Sequence, residues 1–428
     1  MGNFPPLRLA LGTAGQPGRL RRAQLENFRD RQVREVVAHA YANIPFYRRL
    51  YDEHGAVPSK VRGVGDLHLL PRISKLDLQN LETRERVATG TDVSKLRARR
   101  TTGTTGEPLT VFRTRAESRL LRLYYFQAFR SLGVHHGDLA AGLRLPRPGE
   151  PRKHYSLFRR LANRVSLYPR VDLFVESADE ALNEFKRLRP AVIGSVPGRL
   201  SLFAASWSEP DREFVRRAAW PSLIVTGGEK LSPSVRAHLT DAFAARVVDM
   251  YSTVEFNLIA FECVKTGAYH VSDETVALEV LDGERLAGPG ETGRPVVTAL
   301  HSFAAPLIRY ELSDVVTNGN ATCECGACLS TIRSVDGRSM NYFTLPDGAV
   351  FHDAKILEAI AFSAPWVRQS QLSQPRSDLL VVRTAPLTPS TPDPDKLRLY
   401  LKKFLGDRIE VEVIIDSSLG PVNGEKFH

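Results

Sequence analysis

Cysteine is scarce: four occur in 428 residues, Cys263, Cys323, Cys325 and Cys328, and none in the first 262. A disulfide scaffold would not leave most of the chain bare, so stapling by disulfides is excluded as the basis of the fold. Long apolar runs are missing too, and nothing approaches the roughly twenty residues of a membrane span. The opening MGNFPPLRLALG has too short an apolar segment and too little charge for a secretory signal, and Pro6 breaks the myristoylation pattern. These absences predict a cytoplasmic protein with no membrane partner. No internal repeat, basic arm or low-complexity tail occurs. The net charge of +10 raises the prospect of polyanionic partners, but its arginines are scattered (Arg19, Arg21 and Arg22; Arg97, Arg99 and Arg100; Arg159 and Arg160). Such scatter reads as a solvated basic surface.

What is present suits a large α/β enzyme. A hydrophobic content of 43% is enough to build cores, and the length suggests one large domain and one small. In residues 22–53, Leu25, Phe28, Val33, Val36, Val37 and Ala40 recur at helical spacing until Pro45 interrupts them. From 170 to 260 the β-type runs VDLFV, AVIGSV, SLIVTGG and RVVDMYS alternate with helical stretches, which predicts a largely parallel sheet. Residues 275–315 turn to short strands and tight turns. The proline-rich stretch 142–154 reads as a surface loop. After Gly337 the pattern is that of a separate small α+β module: a helix near 353–362, strands at LLVVR and VEVII, and a helix at PDKLRLYLKKFLG. The expected domains are therefore 1–336 and 337–428.

One stretch stands out chemically. Residues 101–108 read TTGTTGEP, between the basic run LRARR and the β-type LTVF, which leads into a helical segment through Phe129. Glycines let backbone N–H groups approach an anion and threonine hydroxyls add donors, so Thr101, Thr102, Gly103, Thr104, Thr105 and Gly106 suit a phosphate-holding loop. The Gly-Lys-Ser/Thr ending of ordinary NTPase loops is lacking. GPGETG at 288–293 fits a dinucleotide fingerprint in letters only: a β-type run follows it where a helix is required, so it reads as a hairpin turn.

Further on come VTGGEKLS (225–232), DMYSTVEF (249–256), PLIRYELSD (306–314), DGRSMNYF (336–343) and the terminal NGEKFH. With TTGTTGEP, this order resembles the adenylate-forming superfamily, in the branch of the phenylacetate–CoA ligases and CapK-like proteins. HAYANIPFYRRLYDEHG (39–55) and DLHLLPRISKLDL (66–78) look like that branch's N-terminal segment, so the resemblance covers nearly the whole chain. It implies a large adenylate-forming domain with mixed and parallel sheets and a small, mobile C-terminal α+β domain. It also implies an ATP-dependent acid–thiol ligase. A small carboxylic acid, an aryl acid foremost, is activated as acyl-AMP and passed to coenzyme A, or alternatively to an amine, a carrier protein or a polysaccharide. On that pattern the 101–106 loop holds the β- and γ-phosphates, Glu255 engages Mg²⁺, and Tyr251, Ser252 and Thr253 line the nucleotide with Gly227, Gly228 and Glu229. Asp314 accepts from the ribose hydroxyls, Arg338 lies near ribose and phosphate, and Lys426 is the catalytic lysine of the small domain. Three departures stand out. Val254 separates Thr253 from Glu255, Met340 and Asn341 replace the usual hinge carboxylates, and Glu425 precedes Lys426 in place of glycine.

The cysteines cluster as Cys323-Glu-Cys325-Gly-Ala-Cys328, with Cys263 and His270 upstream. Thiolates and one imidazole suit a tetrahedral Zn²⁺. The resemblance implies the ligand set Cys263, His270, Cys323 and Cys325; a competing set replaces His270 with Cys328. Four protein ligands leave no open position, so the ion would be structural. A reading from another class, a zinc-containing nucleic-acid-binding protein, requires interleaved basic and aromatic residues around the cysteines. The flanks TNGNAT and LSTIRS are nearly neutral, so no nucleic-acid partner is expected.

Overall fold

The computed structural model describes residues 22–101, 109–144, 170–174, 178–218, 220–338 and, with short interruptions, 342–419. The chain divides into two compact units, Met1–His136 with Val248–Asp336, and Gly137–Val247 with Gly337–His428. Among the described residues no helix is long and apolar enough to cross a membrane.

The first unit opens with α1 (Arg22–Asn43) and α2 (Pro45–Glu53). Pro45 takes the first turn of α2, where its missing N–H costs no helical hydrogen bond. The stripe read from the sequence is the buried face of α1: Leu25, Phe28, Val33, Val36, Val37 and Ala40 are all buried. Fully burying a side chain of the Leu or Phe kind contributes about 1.5–3 kcal/mol, so this face fixes the helix to the core. A short antiparallel hairpin follows, β1 (Arg97–Arg100) against β2 (Thr110–Arg113), then α3 (Arg115–Ser131). Arg97–Arg100 was expected only as a basic run; its strand character comes from its pairing with β2.

The second unit supplies β3 (Ala140–Arg144), β4 (Arg170–Phe174), β5 (Val192–Ser195) and β6 (Leu223–Gly227), all parallel in the order β4-β3-β5-β6. The parallel sheet read from the alternation is therefore present. Residues 142–144, expected in a surface loop, instead finish the buried strand β3, because prolines enter the sequence only after it ends. This part has its own core, built around Phe185, Phe203, Trp207 and Phe243.

The chain re-enters the first unit within β7 (Arg246–Thr253), followed by β8 (Asn257–Glu262), β9 (Tyr269–Val271), β10 (Val276–Asp282), β11 (Arg285–Leu286), β12 (Thr292–Ala299), β13 (Tyr310–Glu311), β14 (Asp314–Asn318) and β15 (Thr331–Arg338). β7, β8 and β9 pair antiparallel in sequence, β9 pairs β15, and β12 pairs β10, β13 and β14. The GPGETG stretch is a turn, closed by the Glu291 N–H to the Gly288 carbonyl at 3.1 Å. It is not a hairpin, however: β11 and β12, the strands it joins, both pair with β10, one on each side.

Beyond Asp336 lie β16 (Tyr342–Thr344) paired with β17 (Val350–His352), and a three-stranded sheet of β18 (Val367–Arg376), β19 (Leu379–Pro386) and β20 (Glu410–Ile415). The helix α4 (Pro394–Leu405) precedes β20. The expected strands and terminal helix of this segment are found; the helix expected near 353–362 falls in part on residues outside those described. Their core, with Leu380, Val382, Leu397 and Leu401, is separate from the other two.

Candidate active site and metal centre

Residues 101–109 connect β1 to β2. Thr101 and Leu109 close the base of this connection: the Thr101 N–H donates to the Leu109 carbonyl at 2.9 Å, and the Leu109 N–H donates to Thr101 Oγ1 at 2.9 Å. Both residues are buried, so the stem is anchored where the loop begins and ends. Thr102, Gly103, Thr104, Thr105 and Gly106 lie outside the described residues, as do Lys426 and the side chain of Arg338, which ends β15.

Two residues that the sequence reading passed over tie this hairpin to its surroundings. Thr114 caps α3 in a capping box with Glu117, whose Oε2 accepts the Thr114 N–H at 2.6 Å. The other carboxylate oxygen of Glu117 accepts the N–H groups of Phe303 at 2.7 Å and Ala304 at 3.0 Å. Arg113, the last residue of β2, is almost fully buried and donates to the carbonyls of Val254 (3.0 Å) and Glu255. Burial holds its guanidinium below the usual range; Glu117 and Glu255 oppose this and Arg99 adds to it. Arg113 thus binds the β1–β2 hairpin to the turn that carries Glu255. No sequence signal singled it out, since one arginine among many shows its burial only in the fold.

That turn connects β7 and β8. Thr253 Oγ1 accepts the Phe256 N–H at 3.1 Å, so the hydroxyl displaced by Val254 serves the turn itself. Glu255 is half-buried and close enough to Tyr310 that its charge, after burial, helps raise the phenol's pKa. Two strand residues before Thr253, Tyr251 is buried and its hydroxyl donates to Asp314 Oδ2 at 2.7 Å. Two of the sequence motifs therefore meet directly. Asp314 begins β14, and the segment before it is held by Arg309, whose guanidinium forks onto buried Glu279 at 3.0 and 3.1 Å. Arg309 also reaches the carbonyls of Leu70 and His68, which fixes the N-terminal segment read from the sequence beside this motif. A planar guanidinium with five donors is the side chain suited to such a junction.

A further side chain on the stretch before Arg309 packs against α3. His301 is buried, its Nε2 donates to the Glu274 carbonyl at 2.8 Å, and its ring stacks on Tyr124 of α3 at 5.6 Å. Burial pushes its pKa down to about 4, with the Glu274 carbonyl opposing.

In the second unit, Gly227 ends β6 and Gly228 and Glu229 follow it. Glu229 Oε2 accepts the Gly198 N–H at 3.2 Å, in the first turn of the helix Pro197–Ala205, so its side chain braces that helix.

The structure brings together the four residues of the expected metal set. Ligand atoms of Cys263, His270, Cys323 and Cys325 all lie within 4.8 Å of one another. Cys328 is outside this group; its carbonyl accepts from Arg22 at 2.9 Å. Two knuckles build the site. In one, the Gly267 N–H donates to the Cys263 carbonyl at 2.9 Å; in the other, the Gly326 N–H donates to the Cys323 carbonyl at 3.0 Å. Both glycines have positive φ, +75° and +94°, which a side chain would strain. The Cys263 and Cys323 sulfurs are 3.9 Å apart, and Cys325 Sγ is 3.3 Å from His270 Nε2. A tetrahedral zinc ion would set about 3.8 Å between two sulfurs and about 3.5 Å between sulfur and nitrogen, given its usual bond lengths. The donor set and its spacing fit such an ion. Burial pushes the His270 pKa down to about 4, keeping the imidazole neutral, and burial with Cys323 and Cys263 nearby raises the Cys325 thiol.

No family model matches the chain. Curated relatives similar to it include two phenylacetate–coenzyme A ligases. The phenylacetate–coenzyme A ligase of Thermus thermophilus is 27% identical over 343 residues, covering 75% of this chain and 72% of the relative. That of Escherichia coli is 26% identical over 325 residues, covering 68% and 67%. Among solved structures, a 2-hydroxyisobutyryl-CoA ligase in complex with 2-HIB-AMP superposes with a TM-score of 0.75 at 18% identity, covering 99% of this chain and 93% of that one. An anthranilate CoA ligase in complex with anthranoyl-AMP gives 0.54 at 13% identity, covering 79% and 67%. These likenesses bear out the resemblance carried by the motif order, and the chain has the fold of the adenylate-forming coenzyme A ligases.

Proposed function

We propose that this protein activates a carboxylic acid with ATP and transfers the acyl group to coenzyme A. The observation that carries the reading is the Tyr251–Asp314 hydrogen bond. It joins two nucleotide motifs in the unit where the anchored 101–109 stem is tied, through Arg113, to the turn of Glu255. Similarity to phenylacetate–coenzyme A ligases along most of the chain supports the same assignment.

In this reading the substrate carboxylate attacks the α-phosphorus of ATP, giving acyl-AMP and pyrophosphate. The thiolate of coenzyme A then attacks the acyl carbon and AMP leaves. Thr101–Gly106 donate to the β- and γ-phosphates, and the ammonium of Lys426 offsets charge developing on the α-phosphate. Asp314 accepts from the ribose hydroxyls, oriented by Tyr251. Ser252 and Thr253 line the nucleotide with Gly227, Gly228 and Glu229, and Arg338 lies near ribose and phosphate. Glu255 offers the hard oxygen that Mg²⁺ prefers, and that ion supplies neutralisation of the phosphate oxygens. Cys263, His270, Cys323 and Cys325 would hold a structural Zn²⁺, whose four protein ligands leave no position open for chemistry. The enzyme works in the cytoplasm, with 337–428 as its small mobile domain.

The test is exchange of labelled pyrophosphate into ATP, screened over a panel of carboxylic acids with aryl acids first. Exchange should need both acid and Mg²⁺, and Glu255→Gln should lower it steeply with the fold intact. No exchange over a broad panel, or a Glu255→Gln variant as active as the parent, overturns the assignment.

A further inference from the structure

We propose that the exposed arginines of β1, Arg99 foremost with Arg97 behind it, form a polyphosphate-binding strip that takes the terminal phosphates of the nucleotide and the pyrophosphate released from them. This deepens the adenylation reading and rests on it for the identity of the ligand.

The strand is unusual in composition and surroundings. All four of its residues, Arg97, Ala98, Arg99 and Arg100, are exposed. Among the described residues no carboxylate pairs with its three guanidiniums. Elsewhere in the same unit arginines find acidic partners, as Arg29 does in Asp273, Arg49 in Glu85 and Arg294 in Glu311. The strand leads straight into the loop: Arg100 precedes Thr101, and Arg99 is about 7 Å back along the strand at about 3.4 Å per residue.

The pairing register shows which way the strip faces. Arg97 lies opposite Arg113 and Arg99 opposite Val111, so Arg97, Arg99 and Arg113 share one face of the hairpin. Arg97 and Arg113 face each other as like charges, which is destabilising, and Arg99, diagonal to Arg113, pushes its guanidinium further below its usual range. Arg113 reaches the Val254 and Glu255 carbonyls, so this face meets the turn bearing the magnesium-binding candidate. Three cations gathered here are relieved by an anion carrying several charges. Guanidinium forks match phosphate oxygens two at a time. Coenzyme A also carries clustered phosphates, so the experiment separates the two sources.

The full-length protein and its Arg97→Gln/Arg99→Gln variant are titrated calorimetrically with tripolyphosphate, with coenzyme A and with 3′-dephospho-coenzyme A. In parallel, product inhibition by pyrophosphate and KM for ATP, acid and coenzyme A are measured. Loss of one charge-assisted contact corresponds to about tenfold or more in affinity. The tripolyphosphate Kd, the pyrophosphate inhibition constant and KM for ATP should therefore rise at least tenfold, with KM for acid and coenzyme A unchanged. Unchanged tripolyphosphate affinity overturns the proposal, as does a defect confined to coenzyme A and absent for its dephospho form. Should the parent protein bind tripolyphosphate through the strip yet catalyse no exchange, the strip stands and the adenylation reading falls.

Discussion

Lowering the pH from 7.5 to 4 should remove about 3 kcal/mol of stability through His301 alone. This residue is 3% exposed, stacked on Tyr124 and tilted against Phe28, with Nε2 donating to the Glu274 carbonyl. Burial lowers its pKa from 6.5 to about 4. The unfolded chain therefore binds a proton between these values that the folded protein does not. Stability from the neutral imidazole is complete above pH 6.5 and is lost as the pH falls toward 4. A gap of that size corresponds to about 3 kcal/mol at about 1.4 kcal/mol per pH unit. Replacing His301 with Phe keeps a ring between Tyr124 and Phe28 and removes both the titration and the hydrogen bond, which contributes about 1 kcal/mol at any pH. Urea unfolding across this range should show the parent ahead by about 1 kcal/mol at pH 7.5 and His301→Phe ahead by about 2 kcal/mol at pH 4. Other titrating groups act on both proteins and cancel in the comparison. Parallel curves refute the reasoning.

Protein purified without added metal should contain close to one equivalent of zinc, which His270→Ala loses and Cys328→Ala keeps; elemental analysis decides, and a metal-free, fully stable protein contradicts the centre. Arg309→Met should destabilise by about 3–5 kcal/mol in chemical denaturation, because Glu279 is left as a buried, unpaired charge, and adding Glu279→Gln should recover part of the loss. Lys426→Ala should slow acyl-adenylate formation by orders of magnitude while thioester formation from supplied acyl adenylate stays near normal, as rapid-quench half-reactions would show. Equal loss in both steps would point to a damaged small domain.

Patterns with a local cause were readable from the sequence. The α1 stripe, the Pro45 break, the parallel strands of the second unit and the last helix follow from spacing and breakers that act within a few residues. The grouping of Cys263, His270, Cys323 and Cys325 in space was legible because the resemblance chose His270 over Cys328. The spacing alone did not choose. What escaped depends on distant partners. Arg97–Arg100 has no alternation of its own and is a strand only because β2 lies beside it. The glycines and proline at 288–291 mark a turn, but no local signal shows that β10 lies between the two strands it joins. Arg113, Glu117 and Arg309 look like surface charges in the sequence. Their burial is set by carbonyls and N–H groups more than a hundred residues away.

The two cysteine knuckles also bear on the order in which the chain assembles. Each knuckle is a half-site: Cys263 and His270 flank one local turn, and Cys323 and Cys325 belong to another, 60 residues on from Cys263. Neither half needs the other to form. An ion shared by both would close the intervening chain, a restraint on the unfolded ensemble of about 4 kcal/mol by the cross-link estimate. Capture could begin on either half during synthesis, but four-coordination would wait until β9 and β15 pair, since His270 and Thr331 face each other across that pair. A tightly held ion would then mark chains whose antiparallel sheet is correctly joined, and chains that fail to join it would hold metal loosely and be exposed to proteolysis.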